Sequence, residues 1–243
     1  MVNPVEKRPN ISSPGVGAGA DPGTAGADPG IGVIYYTDPL CCWSWAMEAQ
    51  WARLQREYGG DLQVSYRMIG LLPSWDLFSD SLSSLSRPVH FGPEWMQAGR
   101  IAGGKVADKI WITDPPSSSF PACIAVKCAE DQSPAFGALY LKAAREAVIE
   151  NGKNIANTDV LLEIAGCLAA SEPGFDGKVF RECLLGSRGS ELFRRDYQEA
   201  QYLGIRRSPT LVFKGFGKAI MLRGYQSWEV LHRTVSIGLA QKG

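Results

Sequence analysis

Cys41 has the best setting for a nucleophile of any residue in the chain. It stands in Thr37-Asp38-Pro39-Leu40-Cys41-Cys42-Trp43-Ser44-Trp45, just after a β-branched and aromatic run and just before an amphipathic one. That order places it at a helix start beyond a strand end. Unpaired backbone N–H groups and the helix dipole favour negative charge there, so the expectation is a thiol with a pKa below the free value of about 8.5. A cysteine at a strand end also serves as a small buried residue, and position alone leaves both readings open. Cys42 is adjacent, and a disulfide between neighbours would be strained. It reads as a packing residue first and a helper thiol second. Six cysteines in 243 residues are too sparse for a disulfide scaffold. Cys123 and Cys128, five apart on an expected helix, fit core packing better than ligation, and neither His90 nor His232 sits in a metal-like cluster, so no metal site is expected.

Other polar groups fall near chain features that could bring them to Cys41. Arg206 and Arg207 precede Ser208-Pro209-Thr210, and Ser117, Ser118 and Ser119 lead into Phe120-Pro121. Hydroxyls ahead of a helix start either bind a carboxylate or cap the helix, and capping is expected of at least one of them. The arginines could hold an anionic ligand or support a thiolate, or be solvated surface charges.

The elements that must position these groups follow from periodicity. Ile31 to Thr37 reads as a buried strand ended by Asp38-Pro39. A helix follows with a stripe of Trp43, Met47, Trp51, Leu54 and Tyr58, stopped by Gly59-Gly60. Leu62, Val64, Tyr66 and Met68 then alternate with polar residues, a half-buried strand, which completes a right-handed βαβ unit. Near the other end, Thr210 to Phe213 and Ala219 to Leu222 form a hairpin across a Gly-containing turn, and a last helix runs from about Ser227 to Leu239. Between about 69 and 204 helix signals dominate: Ser133-Pro134 opens a helix ending at Asn151-Gly152, Thr158 opens another, and Ser190 opens one that stops at Gly204. The expected organisation is therefore an α/β fold from 30–68 and 205–243 with an inserted helical domain over 69–204.

Composition bounds the rest. With 45% hydrophobic and 21% charged residues the chain is an ordinary globular protein. Lys plus Arg and Asp plus Glu number 25 each, which argues against nucleic acid or an anionic membrane as partner. Residues 1–29, rich in Gly, Pro, Ala, Ser and Asp, are expected to be a flexible tail. No apolar run of about 18 residues is present and no signal-peptide core is seen, so the expected compartment is the cytoplasm.

Over about 31 to 240 the chain resembles the DsbA-like thioredoxin group, which includes FrnE-type oxidoreductases, relatives of Clp-protease adaptors and kappa-class glutathione transferases. The resemblance rests on Thr-Asp-Pro-Leu-Cys at 37–41, Asp-Pro-Pro-Ser-Ser-Ser-Phe-Pro-Ala at 114–122 and Gly-Ile-Arg-Arg-Ser-Pro-Thr at 204–210. It implies a thioredoxin-like fold with Cys41 as nucleophile, Pro209 as the cis-proline facing it, and position 44 as the resolving site. The chain departs from the family there, because position 44 is Ser44. The implied substrate groove includes Trp43, Ser118, Ser119, Arg207 and Ser208.

What the resemblance implies about function is a thiol-disulfide oxidoreductase working by a monothiol mechanism, since Cys41 can attack but cannot be resolved from position 44. Its partners would be a disulfide, a glutathionylated protein or a small thiol, with no tightly bound cofactor and with glutathione as a co-substrate. Two rivals share the fold: a redox-inactive binding or adaptor protein, and a glutathione-dependent isomerase or transferase of the kappa-like type.

Overall fold

The computed structural model describes residues 30–78, 86–215 and 217–241; the expected tail at 1–29 lies outside the described residues. β1 (Ile31–Thr37) falls where the apolar, β-branched run put it, and β2 (Leu62–Met68) where the alternation did. β3 (Thr210–Lys214) and β4 (Ile220–Arg223) form the expected hairpin, shifted by one residue at its later strand. The described strands make one sheet in the order β2-β1-β3-β4, with β1 parallel to β2 and the other two pairings antiparallel. β1 is central, so Val33 pairs with Val64 on one side and Phe213 on the other.

Successive strand residues point to opposite faces, and both faces of β1 are covered. Ile31, Val33 and Tyr35 join Leu211 and Phe213 beneath α2 (Glu48–Tyr58), which supplies Trp51 and Leu54, and α10 (Trp228–Ala240), which supplies Leu231 and Val235. On the opposite face, Tyr36 and Val212 pack with Ala200 of α9 (Arg188–Tyr202) and with Ile205. α9 begins at Arg188, two residues before the expected Ser190. It is held to the sheet by polar bonds as well: Arg67 donates to Glu199 at 3.1 Å, Tyr36 Oη donates to Glu199 at 2.6 Å, and the Met68 amide donates to Asp196 at 3.0 Å.

The expected helix over 43–58 is two pieces, α1 (Cys42–Ala46) and α2, joined at Met47. The stripe splits accordingly. Met47, Trp51 and Leu54 pack on the sheet, whereas Trp45 and Cys42 turn into the helical core. That core is built by α3 (Phe91–Ala102), α4 (Ile110–Thr113), α5 (Phe120–Gln132), α6 (Pro134–Arg145), α7 (Thr158–Ser171), α8 (Gly177–Leu185) and α9, with Trp95, Trp111, Tyr140 and Phe180 as its largest fully buried side chains. α6 starts where Ser133 and Pro134 signalled: Ser133 Oγ accepts from the Phe136 amide at 3.2 Å. It continues after Arg145 as a π-helical turn, Glu146–Glu150, in which the Asn151 amide reaches back five residues to the Glu146 carbonyl.

Candidate active site

Asp38, directly after β1, fixes the approach to Cys41. Its carboxylate is fully buried and accepts from the Leu40 amide at 2.8 Å, the Leu71 amide at 2.6 Å, Ser119 Oγ at 2.8 Å and Cys123 Sγ at 3.4 Å. One side chain thus ties the turn before Cys41 to the chain after β2 and to the start of α5. Burial pushes the Asp38 carboxyl up and these four donors pull it down, the balance lying above the usual carboxylate range. Sequence reading treated Asp38 as a turn residue and missed this role; a carboxylate next to proline signals a turn and carries no mark of its distant donors.

Cys41 is the N-cap of α1. Its Sγ accepts from the Ser44 amide at 3.4 Å, and its thiol donates to the Ser208 carbonyl at 3.2 Å. The Ser208–Pro209 peptide is cis, so Ser208 and Pro209 stand against the sulfur. Ser44 Oγ accepts from Thr37 Oγ1 at 2.9 Å and lies 2.8 Å from Ser208 Oγ. The hydroxyl at position 44 is therefore built into a buried network beneath Cys41. From α6, Arg145 enters the same network, donating to Thr37 Oγ1 and, at 2.9 Å, to Glu48 Oε1.

The expectation of a lowered Cys41 pKa is not met. Burial pushes the thiol up, and the opposing pull of Ser208, Ser44 and the Arg145 charge does not cancel it. Three observations give the reason. Only 3% of the residue is exposed, the thiol proton already has an acceptor in the Ser208 carbonyl, and α1 is five residues long, too short to build a full terminal dipole. Cys42 is a buried core residue, as expected, and burial raises its thiol too.

A cleft of about 910 Å³ opens beside Cys41. Trp43, Ser208, Arg206 and Arg207 lie on its walls together with apolar groups such as Phe78 and Tyr225. Trp43 is half-buried: it packs against the helical core and also lines the cleft. Gly70 lines it as well, with φ +61°, and a Cβ there would stand 2.6 Å from the Phe120 ring, so glycine is required both by conformation and by space. Ser118 and Ser119 are not brought to the cleft, a correction to their expected part in substrate binding. Ser119 is fully buried, donating to Asp38 and accepting from the Leu72 amide at 3.1 Å; Ser118 Oγ donates to the Leu72 carbonyl at 3.0 Å and accepts from the Phe120 amide at 3.1 Å. Their hydroxyls are used to cap α5 and anchor loops, which is what ordered buried hydroxyls require.

A four-stranded mixed sheet with a helical segment between its second and third strands, and a cysteine at the N-cap of the helix after the first strand, defines a thioredoxin-like protein of DsbA-like form. A thioredoxin family model matches residues 35–233, and the chain belongs to that family. Among curated proteins it is 28% identical over 181 residues to the ClpXP adapter protein SpxH of Halalkalibacterium halodurans, covering 74% of this chain and 58% of the relative. The chain thus spans less than two thirds of the length of the curated relatives it matches first. Among solved structures, a probable DsbA oxidoreductase from Streptomyces coelicolor superposes with a TM-score of 0.69 at 18% identity, covering 88% of this chain and 92% of that one. The cytosolic disulfide reductase DsbM from Pseudomonas aeruginosa superposes with a TM-score of 0.61 at 21% identity, covering 87% and 95%. Among the described residues no helix is long and apolar enough to cross a membrane, and no group of three or more His, Cys, Asp and Glu side chains could hold a metal.

Proposed function

We propose that the protein is a cytoplasmic thiol-disulfide oxidoreductase that works with one active-site thiol, Cys41. The observation that carries this reading is the position of its sulfur: at the N-cap of α1, against the Ser208–Pro209 peptide, on the wall of a cleft of about 910 Å³. In the proposed cycle Cys41 loses its proton to solvent base as the ligand enters. The thiolate then attacks one sulfur of a glutathionylated thiol, forming a Cys41–glutathione disulfide and releasing the substrate thiolate. A second glutathione thiolate attacks that mixed disulfide, leaving oxidised glutathione and the Cys41 thiolate, which regains its proton. The Ser44 amide, 3.4 Å from Sγ, is a donor to the thiolate on both sides of this exchange. Arg206 and Arg207 on the cleft wall are suited to a carboxylate-bearing thiol such as glutathione, and DsbM has been solved with GSH.

A second reading is an adaptor that binds a protein partner without redox turnover. It is favoured by the naming of the curated relatives as ClpXP adapter proteins and by a resting thiol that is buried and protonated. Incubation with oxidised glutathione followed by peptide mass spectrometry separates the two. A glutathione adduct on Cys41 that reduced glutathione removes supports the oxidoreductase; an unmodified Cys41 beside a modified Cys167, which is exposed, overturns it.

A further inference from the structure

Arg145 lies more than a hundred residues beyond Cys41 in sequence, yet its guanidinium is buried under the active site with 3% of its side chain exposed. A guanidinium has only donors, so Thr37 Oγ1 must accept from it. Thr37 then has its own proton to give, and Ser44 Oγ is its acceptor at 2.9 Å. Ser44 Oγ lies 2.8 Å from Ser208 Oγ, a contact in which either hydroxyl can donate. Ser208 Oγ also stands 3.5 Å from Thr37 Oγ1, so the three hydroxyls cluster beneath Cys41, whose thiol donates to the Ser208 carbonyl and whose sulfur accepts from the Ser44 amide. A chain of hydroxyls between two neutral ends could run in either direction. Here one end is a cation that cannot accept.

We propose that Arg145 is a positioning residue for Cys41: it makes Thr37 Oγ1 a donor to Ser44 Oγ and so holds Ser44 with its amide presented to the sulfur whenever the sulfur carries negative charge. This rests on the reading that Cys41 does thiol chemistry. Charged and titratable groups around the pair are few. Cys41 is faced by Arg145 from α6, Tyr35 from β1 and Cys42 from α1, with Arg206 and Arg207 on the cleft wall; Arg145 is faced by Glu48 of α2, Tyr35 and Tyr66. Glu48 is the counter-ion, and its charge opposes what Arg145 does for the thiolate. The π-helical turn begins directly after Arg145, at Glu146.

The test is the pH profile of Cys41 alkylation by iodoacetamide, followed by peptide mass spectrometry in a Cys167→Ala background. Arg145→Gln, which can accept as well as donate, should raise the midpoint by about one pH unit, about tenfold less thiolate at neutral pH. Arg145→Lys keeps a donor-only cation and should restore most of the difference. Glu48→Gln removes the opposing charge and should lower the midpoint. Thr37→Val interrupts the chain while leaving Arg145 in place, and should raise the midpoint even if Arg145→Gln fails to fold. Shifts of the same sign in Arg145→Gln and Glu48→Gln, or an unmoved midpoint in Thr37→Val, would overturn the proposal. Failure of the oxidoreductase reading shows separately, as an unmodified wild-type Cys41 after oxidised glutathione.

Discussion

Replacing Ser44 with cysteine puts a second thiol one helical turn from Cys41, and the structure sets what that should cost and return. The Ser44 hydroxyl is fully buried and bonds to Thr37 at 2.9 Å and to Ser208 at 2.8 Å. A thiol is a weak donor and acceptor, so the dithiol form gives up most of two hydrogen bonds, about 1–3 kcal/mol in all. Oxidation closes a loop of about four residues, for which the chain-entropy relation gives about 2 kcal/mol at 25 °C. The oxidised variant should therefore be about 2 kcal/mol more stable than its own reduced form and close to the wild type. By linkage its disulfide should be harder to reduce than the same pair in the unfolded chain, by about 40 mV. Guanidinium denaturation of the two redox forms, with thiol counting to verify them, measures the first quantity, and titration against glutathione buffers the second. An oxidised form less stable than the reduced one would refute the geometry assigned to this turn. Insulin reduction, with Cys41→Ala in the same background as control, then asks about turnover. A variant that forms the disulfide yet, as the dithiol, reduces no disulfide substrate would sink the oxidoreductase reading in favour of binding.

Further outcomes follow from burial and charge. At neutral pH iodoacetamide should modify exposed Cys167 first and Cys41 more slowly, reversing the order expected of an activated thiolate; Cys41 reacting fastest would contradict its buried, protonated state. Because the folded protein holds the Cys41 proton more tightly than the unfolded chain does, stability should fall as pH rises from the unfolded value of about 8.5 toward the folded one, and Cys41→Ala should make that slope shallower in urea melts, an unchanged slope counting against it. Asp38→Asn keeps the shape but sets an amide N–H₂ against donors from Leu71, Ser119 and Cys123, and should cost about 2–4 kcal/mol by chemical denaturation; a loss under 1 kcal/mol would mean the carboxylate is not the anchor described.

Local signals carried the sheet. β1 was legible from its run of β-branched and aromatic residues closed by Asp38-Pro39, β2 from its alternation over seven positions, and the Ser133–Pro134 helix start because a cap needs only its own next residues. The break at Met47 was not, since Trp43, Met47 and Trp51 keep helical spacing through it and Met47 itself stays in the right-handed helical region. The state of Cys41 was misread for a different reason: dipole arguments count the helix and ignore how deeply the cap is buried. Arg145 left one signal that went unused. It falls four residues after Leu141 and next to Ala144, on the apolar stripe of α6, where a charge is out of place unless something buried receives it.

The same two contacts explain why the helical segment is more than a wall of the cleft. Ser119 and Cys123 of the α5 start hold Asp38, and Arg145 of the α6 end holds Thr37, so both residues at the end of β1 are also bonded to groups distant in sequence. Where the family's usual dithiol would place a second sulfur, this chain places a hydroxyl that is already committed to Thr37 and Ser208. Such a hydroxyl cannot leave with electrons, so on the proposed route a mixed disulfide at Cys41 is broken only by a thiol arriving through the cleft. The lifetime of that adduct then depends on what the cleft admits. A small thiol that fits between Trp43 and Arg207 makes the protein a catalyst, and a bulky protein partner that blocks the same opening makes it a holder of that partner. The oxidoreductase and adaptor readings thus differ in the occupant of one groove and in whether Cys41 turns over there.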